Sequence, residues 1–161
     1  MAVFLVATLG KGSMDLYSLR LAKHLKVPII YTDVYEKVFE RFNKPLLSLS
    51  FIEELLNTWS FAKRLDAIDG IPHLPNHHFG RVGLLLRKPF IITVHDLIRY
   101  FDMKGYGPLI HRPNLKDKFW LSLDYLGVKR AARIITPSFK TKMDLVKHLK
   151  VPEDKVRVVY H

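Results

Sequence analysis

"KPFIITV", residues 88–94, runs straight into His95 and Asp96. The stretch has almost no alternation of apolar and polar residues, as expected of a strand covered on both faces. Such a strand belongs in the interior of a parallel sheet. At its exit it would carry an imidazole and a carboxylate.

Similar segments recur on either side. "AVFLVAT" (2–8), "VPIIYT" (27–32), "GIPHLP" (70–75), "RIITP" (133–137) and "VRVVY" (156–160) read as further strands. Helical patterns lie between them. In "MDLYSLRLAKHL" (14–25), Tyr17, Leu21 and Leu25 form a stripe, with Arg20 and Lys23 off it. Asp33 with Glu36, and Ser50 with Glu53, have capping-box spacing before the helices "VYEKVFERF" and "FIEELLNTWSFAKRL". In the second of these, Ile52, Leu55, Leu56 and Trp59 are expected to face the core. Asn76 caps a helix over 76–87, and Phe119, Leu123 and Leu126 form the stripe of another over 118–132. Ser138 is placed to cap a helix carrying Met143, Val146 and Leu149. A loop is expected from about Arg99 to Asp117.

Strands alternating with helices predict an α/β fold: a three-layer, doubly wound, Rossmann-like domain with a mainly parallel sheet. The chain has 161 residues, enough for one core, and residues 1–161 are read as a single domain. No apolar run is long enough to cross a bilayer. "AVFLVA" lacks a basic leader and reads as a first strand, not a signal peptide. Cysteine is absent, which excludes disulfide and thiolate chemistry. Glutamine is absent too, and with many Lys and Arg this is the pattern of proteins from hot habitats. A cytoplasmic location is expected. The net charge of +11 favours anionic partners, whether nucleic acid, acidic lipid or phosphorylated small molecules.

Four groups of residues carry candidate chemistry. Gly10, Lys11, Gly12 and Ser13 follow the first strand and lead into a helix, where backbone amides favour a phosphate. The dinucleotide fingerprint wants a third glycine where Asp15 stands, and the Walker pattern is absent, so nicotinamide and P-loop kinase readings find no support. The alternative is a tight turn that binds nothing. His95 can act as a base or bond a sugar hydroxyl or phosphate, or is a structural histidine bonded to a loop carbonyl, while Asp96 either orients it or caps the next turn. His73, His77 and His78 superficially suggest a metal, but adjacent histidines diverge on a helix and no carboxylate sits among them, so no metal is expected. Finally, Arg99, Lys104, His111, Arg112, Lys116 and Lys118 are interleaved with Tyr100, Phe101 and Tyr106. That mixture suits nucleic acid, a phosphorylated acceptor or a lipid headgroup, or is simply a solvated loop.

The order of the parts carries a resemblance. "LGKGS…YSLRLAKHL", "PFIITVHDL", "AARIITPSFKTKMDLVKHL" and "VPEDKVRVVYH" together resemble the N-terminal domain of GT-B glycosyltransferases, most closely the large retaining family four. "TVHDL" and the Ala-Arg-Ile-Ile-x-Pro-Ser junction are the most specific pieces. The resemblance implies half of a two-domain architecture, transferring a sugar from a nucleotide-sugar donor to a carbohydrate or lipid-linked acceptor with retention. It implies no metal and no other cofactor. His95 matches the family's histidine near the transferred sugar, and Gly10 and Gly12 match its glycine-rich loop over the donor phosphates. Asp96 and Ser138 are taken with Lys11 and Ser13 as substrate-binding candidates. The donor-binding C-terminal domain, with its Glu-x7-Glu motif, is missing from this chain, which is therefore expected to be inactive alone. Peripheral attachment to an anionic membrane surface is a further expectation, and nucleic acid is not expected as a partner. A basic module binding nucleic acid or a phosphate ligand is the alternative.

Overall fold

The computed structural model describes residues 2–8, 12–32 and 49–160, with residues 49 and 50 described by backbone alone. Gly10, Lys11, the Asp33–Glu36 pair, the expected helix over 34–42 and the Ser50 side chain lie outside the described residues.

The six expected strand segments all form strands: β1 (Val3–Thr8), β2 (Ile29–Thr32), β3 (Ile71–Leu74), β4 (Ile91–Thr93), β5 (Arg133–Thr136) and β6 (Val156–Val158). They make one sheet in the order β2-β1-β3-β4-β5-β6, with every pairing parallel. The described helices are α1 (Ser13–Leu25), α2 (Leu49–Ala67), α3 (Gly80–Leu85), α4 (Ile98–Lys104), α5 (Leu115–Arg130) and α6 (Phe139–Leu149). A 3-10 turn, His77–Phe79, leads into α3. The chain winds outward from β1 to β2, then returns past β1 and winds the other way to β6. Right-handed crossovers place α1 on one face of the sheet and the later helices on the other. The reversal falls between β1 and β3, and in open α/β sheets ligands bind beyond the carboxyl ends of the strands at such a point.

The pleat sorts each strand between the two faces. Phe4, Val6, Leu74, Ile92, Ile134 and Val156 are buried in the main core with Phe61, Leu65, Leu121, Val128 and Leu145 from the helices. On the opposite face Leu5 is in register with His73, His73 with Ile91, Ile91 with Arg133, and Ile135 with Arg157. Helix α1 packs on β1 there. Farther along that face Ile91 and Ile135 are half-buried, and Arg133 and Arg157 are exposed.

Two helices turn opposite faces to the core from those the apolar stripes predict. In α2, Ile52, Leu55, Leu56 and Trp59 are exposed, while Phe51, Glu54, Thr58, Phe61, Ala62 and Leu65 are buried. In α5, Phe119 and Leu126 are exposed, while Trp120, Leu121, Asp124, Tyr125 and Val128 are buried. The reason is a buried polar network between the helices. Lys116 Nζ donates to Glu54 Oε1 at 2.9 Å, and Trp120 Nε1 donates to Glu54 Oε2 at 3.2 Å. Arg81 grips Asp124 through Nε and Nη2, both at 2.8 Å, and its guanidinium lies 4.3 Å from the Trp120 ring centroid. In the outer helices Leu25 of α1 and Met143 of α6 are likewise exposed.

The long loop is also shorter than expected. Residues 98–104 form α4, and α5 begins at Leu115. Asn114 caps α5 in a capping box: its side chain accepts from the Asp117 amide at 2.8 Å, and Asp117 accepts from the Asn114 amide at 3.2 Å. Lys116, expected in the loop, is the buried partner of Glu54.

Helices α3 and α5 meet backbone to backbone. A Cβ on Gly80 would stand 1.9 Å from the Asp124 carbonyl oxygen, and one on Gly127 would stand 1.7 Å from the Gly80 carbonyl oxygen. Only glycine allows that approach.

Candidate functional site

The site is built where β1, β3 and β4 end. Tyr17 of α1, His73 of β3, and Thr93 and His95 at the exit of β4 converge on the α1 face. His73 Nε2 and the Thr93 hydroxyl share a hydrogen bond of 2.8 Å, and the Tyr17 hydroxyl lies 3.2 Å from the same Thr93 oxygen. The Tyr17 ring meets the His95 ring edge-on, with centroids 5.0 Å apart. Burial, reinforced by the nearby His95, pushes the His73 pKa down to about 4. His73 is therefore a neutral, hydrogen-bonded brace at neutral pH. Burial raises the Tyr17 hydroxyl despite its bond to Thr93, so it too stays protonated.

His95 is held from two sides. Its Nε2 lies 2.9 Å from the Pro75 carbonyl oxygen at the exit of β3, and its own carbonyl accepts from the Thr141 hydroxyl at 3.4 Å. Thr141 lies in the first turn of α6, where Ser138 is the N-cap: the Ser138 oxygen accepts from the Thr141 amide at 3.1 Å. The sequence expectation for Ser138 as a cap is met. Asp96 accepts from the Ile98 amide at 3.0 Å and so closes the turn that starts α4. The Ser138 side chain is engaged in a helix cap and the Asp96 side chain in the turn before α4.

The phosphate-type loop is described only from Gly12 onward. Gly12 is the N-cap of α1, and its amide donates to Asp15 Oδ2 at 3.1 Å. The other Asp15 oxygen accepts from the Thr8 hydroxyl at the end of β1. Asp15 thus locks strand to helix and places its own negative charge at the helix N-terminus, where the helix dipole favours an anion. Ser13 is exposed as the first residue of α1.

His77 and His78 do not join His95 in a ligand set. His77 is buried, its ring stacked on Tyr125 with centroids 5.5 Å apart. Neither ring nitrogen of His77 has a hydrogen-bond partner among the described residues. Burial, and then the positive groups of His78, His95, Arg99 and Arg81, hold His77 well below the ordinary histidine pKa. His78 lies 3.7 Å from the Asp124 carboxylate. Among the described residues no group of three or more His, Asp or Glu is set to hold a metal ion.

Sequence reasoning singled out His95 and His73 but read Tyr17 as a core residue and did not single out Thr93. The signal was thin. Tyr17 and Thr93 lie 76 positions apart, and only the register of β1, β3 and β4 brings them together.

In comparison with known proteins, the model of a family described as Glycosyltransferase Family 4 matches residues 13–161. No curated protein matches the chain.

Proposed function

The chain belongs to glycosyltransferase family 4, and on that premise we propose that it is the N-terminal, acceptor-side domain of an enzyme built from two facing Rossmann-like domains. A domain of this family acts with a sugar donor and an acceptor. In our reading the donor is a nucleotide sugar, transfer retains the anomeric configuration, and a second domain supplies most of the donor site. The single observation that carries the reading is the placement of His95, at the carboxyl end of a central strand beside the reversal in strand order, with its ring fixed by Pro75.

His95 is the residue in this proposal that touches the sugar being transferred, through hydrogen bonds to its hydroxyl groups. Gly12 and Ser13 line the side nearest the donor phosphates, and Gly10 and Lys11, which precede them in the sequence, are candidates for the same role. Asp96 from its turn and Ser138 from its cap shape the rim on either side of His95. The charge of +11 supports work at an anionic, cytoplasmic membrane face. No described helix is long and apolar enough to cross a membrane.

Incubation of the chain with labelled nucleotide sugars and a panel of carbohydrate and lipid acceptors tests the half-enzyme claim. No transfer is expected from the chain alone, and transfer once the donor domain is joined to it. Robust transfer by the 161-residue chain would show that it needs no second half.

A further inference from the structure

Behind the exit of β4 lies a second concavity. Between α4, the start of α5 and the loop joining them is a hollow of about 450 Å³. Lys104, Arg112 and Lys118 line it, with Met103 and Leu109 as apolar wall and Asp102 at its base. Among the described residues no carboxylate is paired with Lys104, Arg112 or Lys118. Asp102 keeps its negative charge but makes no ion pair with them, and one carboxylate against three cations leaves the lining net positive. Asp102 accepts from the Ile110 and His111 amides, both at 3.0 Å, and from the His111 ring at 3.1 Å. Burial pushes the Asp102 carboxyl up, but these hydrogen bonds outweigh it and hold the carboxyl below its ordinary value. The buried carboxylate folds the loop, and the loop sets the cations around the hollow. Gly105 and Gly107, at φ 71° and 74°, supply the left-handed turns this requires.

We propose that this hollow binds a phosphate group, monoester or diester, with an apolar portion of the same ligand against Met103 and Leu109. A guanidinium and two ammonium groups around one cavity suit a phosphate, which accepts several charge-assisted hydrogen bonds at once. The position gives the site a role. Helix α4 starts two residues after Asp96 and ends at Lys104, and its seven residues span about 10 Å. A phosphate anchored there lies about one short helix from His95. Such a ligand is a phosphorylated acceptor, held by its charge while its hydroxyl reaches the transferred sugar. This assignment of the ligand as acceptor rests on the transferase reading; the phosphate site itself does not. Binding energy from a remote group of this kind orients the reacting one.

The test is direct binding, without any sugar donor. The chain is titrated with inorganic phosphate and with glycerol 3-phosphate while amide NMR is followed. In parallel it is pelleted with vesicles of phosphatidylcholine, with and without phosphatidylglycerol. Saturable shifts at Gly105, Leu109 and Ile110 are expected, and the Arg112→Ala/Lys118→Ala variant should bind at least about tenfold more weakly. The Lys104→Gln variant should show a smaller loss in the same direction, and it serves if the double variant proves unstable. Lys140→Ala, at an exposed lysine paired with Asp144, should bind as the parent does. Saturation by the soluble phosphates identifies a free phosphorylated acceptor. Binding confined to anionic vesicles, and lost in the variants, identifies a lipid headgroup. Absence of binding to every probe, or equal weakening by Lys140→Ala, overturns the site. A failed transfer assay would leave this result untouched.

Discussion

The Nε2 of His95 donates to the carbonyl oxygen of Pro75 at 2.9 Å, so the exit of β4 is fastened to the exit of β3. A carbonyl only accepts, which fixes the proton on Nε2 and makes Nδ1 the accepting nitrogen of the neutral ring. His95→Ala in the active enzyme should lower transfer by about ten- to a hundredfold, through the lost hydrogen bonds to the sugar. The same variant should lose about 1 kcal/mol of stability with the Pro75 hydrogen bond, too little to account for that fall. A stability loss in proportion to the activity loss would show that the ring is only a brace.

The buried histidines make stability depend on pH. His73 titrates near 4 in the folded chain, against an ordinary value of 6.5. The unfolded chain therefore takes up its proton first. Above pH 6.5 the two states differ little; as pH falls from 6.5 toward 4, about 3 kcal/mol of stability is lost. His77 acts in the same direction. Urea unfolding at neutral pH and again near pH 5 should show a clear fall in midpoint, and His73→Gln should flatten the slope. An unchanged slope in that variant would place the titration elsewhere.

The seam between α3 and α5 depends on two glycines. Gly80→Ala or Gly127→Ala would drive a methyl group into backbone that cannot swing aside. Each should cost about 3 kcal/mol or more. Gly12→Ala is the control, because its Cβ would sit 3.4 Å from Asp15 Oδ2, an ordinary contact. Thermal unfolding of the three variants should separate the pair at the seam from the control.

Arg81 and Asp124 are both buried, and removing one leaves the other charged in a dry place. Asp124→Asn should destabilise the fold by about 3–5 kcal/mol. Replacing both, as Arg81→Met with Asp124→Leu, should recover more than half of that loss. Denaturant midpoints of Arg81→Met, Asp124→Leu and the double variant form the cycle. Additive losses would mean that the pair is not coupled.

Lys26 and Lys150 close α1 and α6 at φ 54° and 58°, in the left-handed region. Glycine pays no Cβ penalty there. Lys26→Gly and Lys150→Gly should each raise stability by about 0.5–1 kcal/mol, read from the urea midpoint.

The strands were legible because each is a short apolar run with a sharp boundary. The parallel plan followed from the helical patterns between them, and Ser138 and Asn76 announced their caps. The faces of α2 and α5 were not legible, since the sides they bury carry Glu54, Thr58, Lys116 and Asp124. Charged letters read as solvent-facing until their partners are known, and Lys116 and Glu54 lie 62 positions apart. Helix α4 was hidden for a related reason. Its sequence, "IRYFDMK", is rich in the charge and aromatic residues of the loop beyond it. For the site, His95 stood out because it ends a strand, whereas Tyr17 and Thr93 gain meaning only through the sheet register.

Arg133 and Arg157 stand on the sheet face that α1 covers only in part. Two copies approaching by this face would bring like charges together before Ile91 and Ile135 could touch. At low ionic strength that repulsion reaches beyond the contact distance; at physiological salt it is damped within about 8 Å. In dilute electrolyte these two guanidinium groups therefore hold a second copy off this face, and concentrated salt removes that protection.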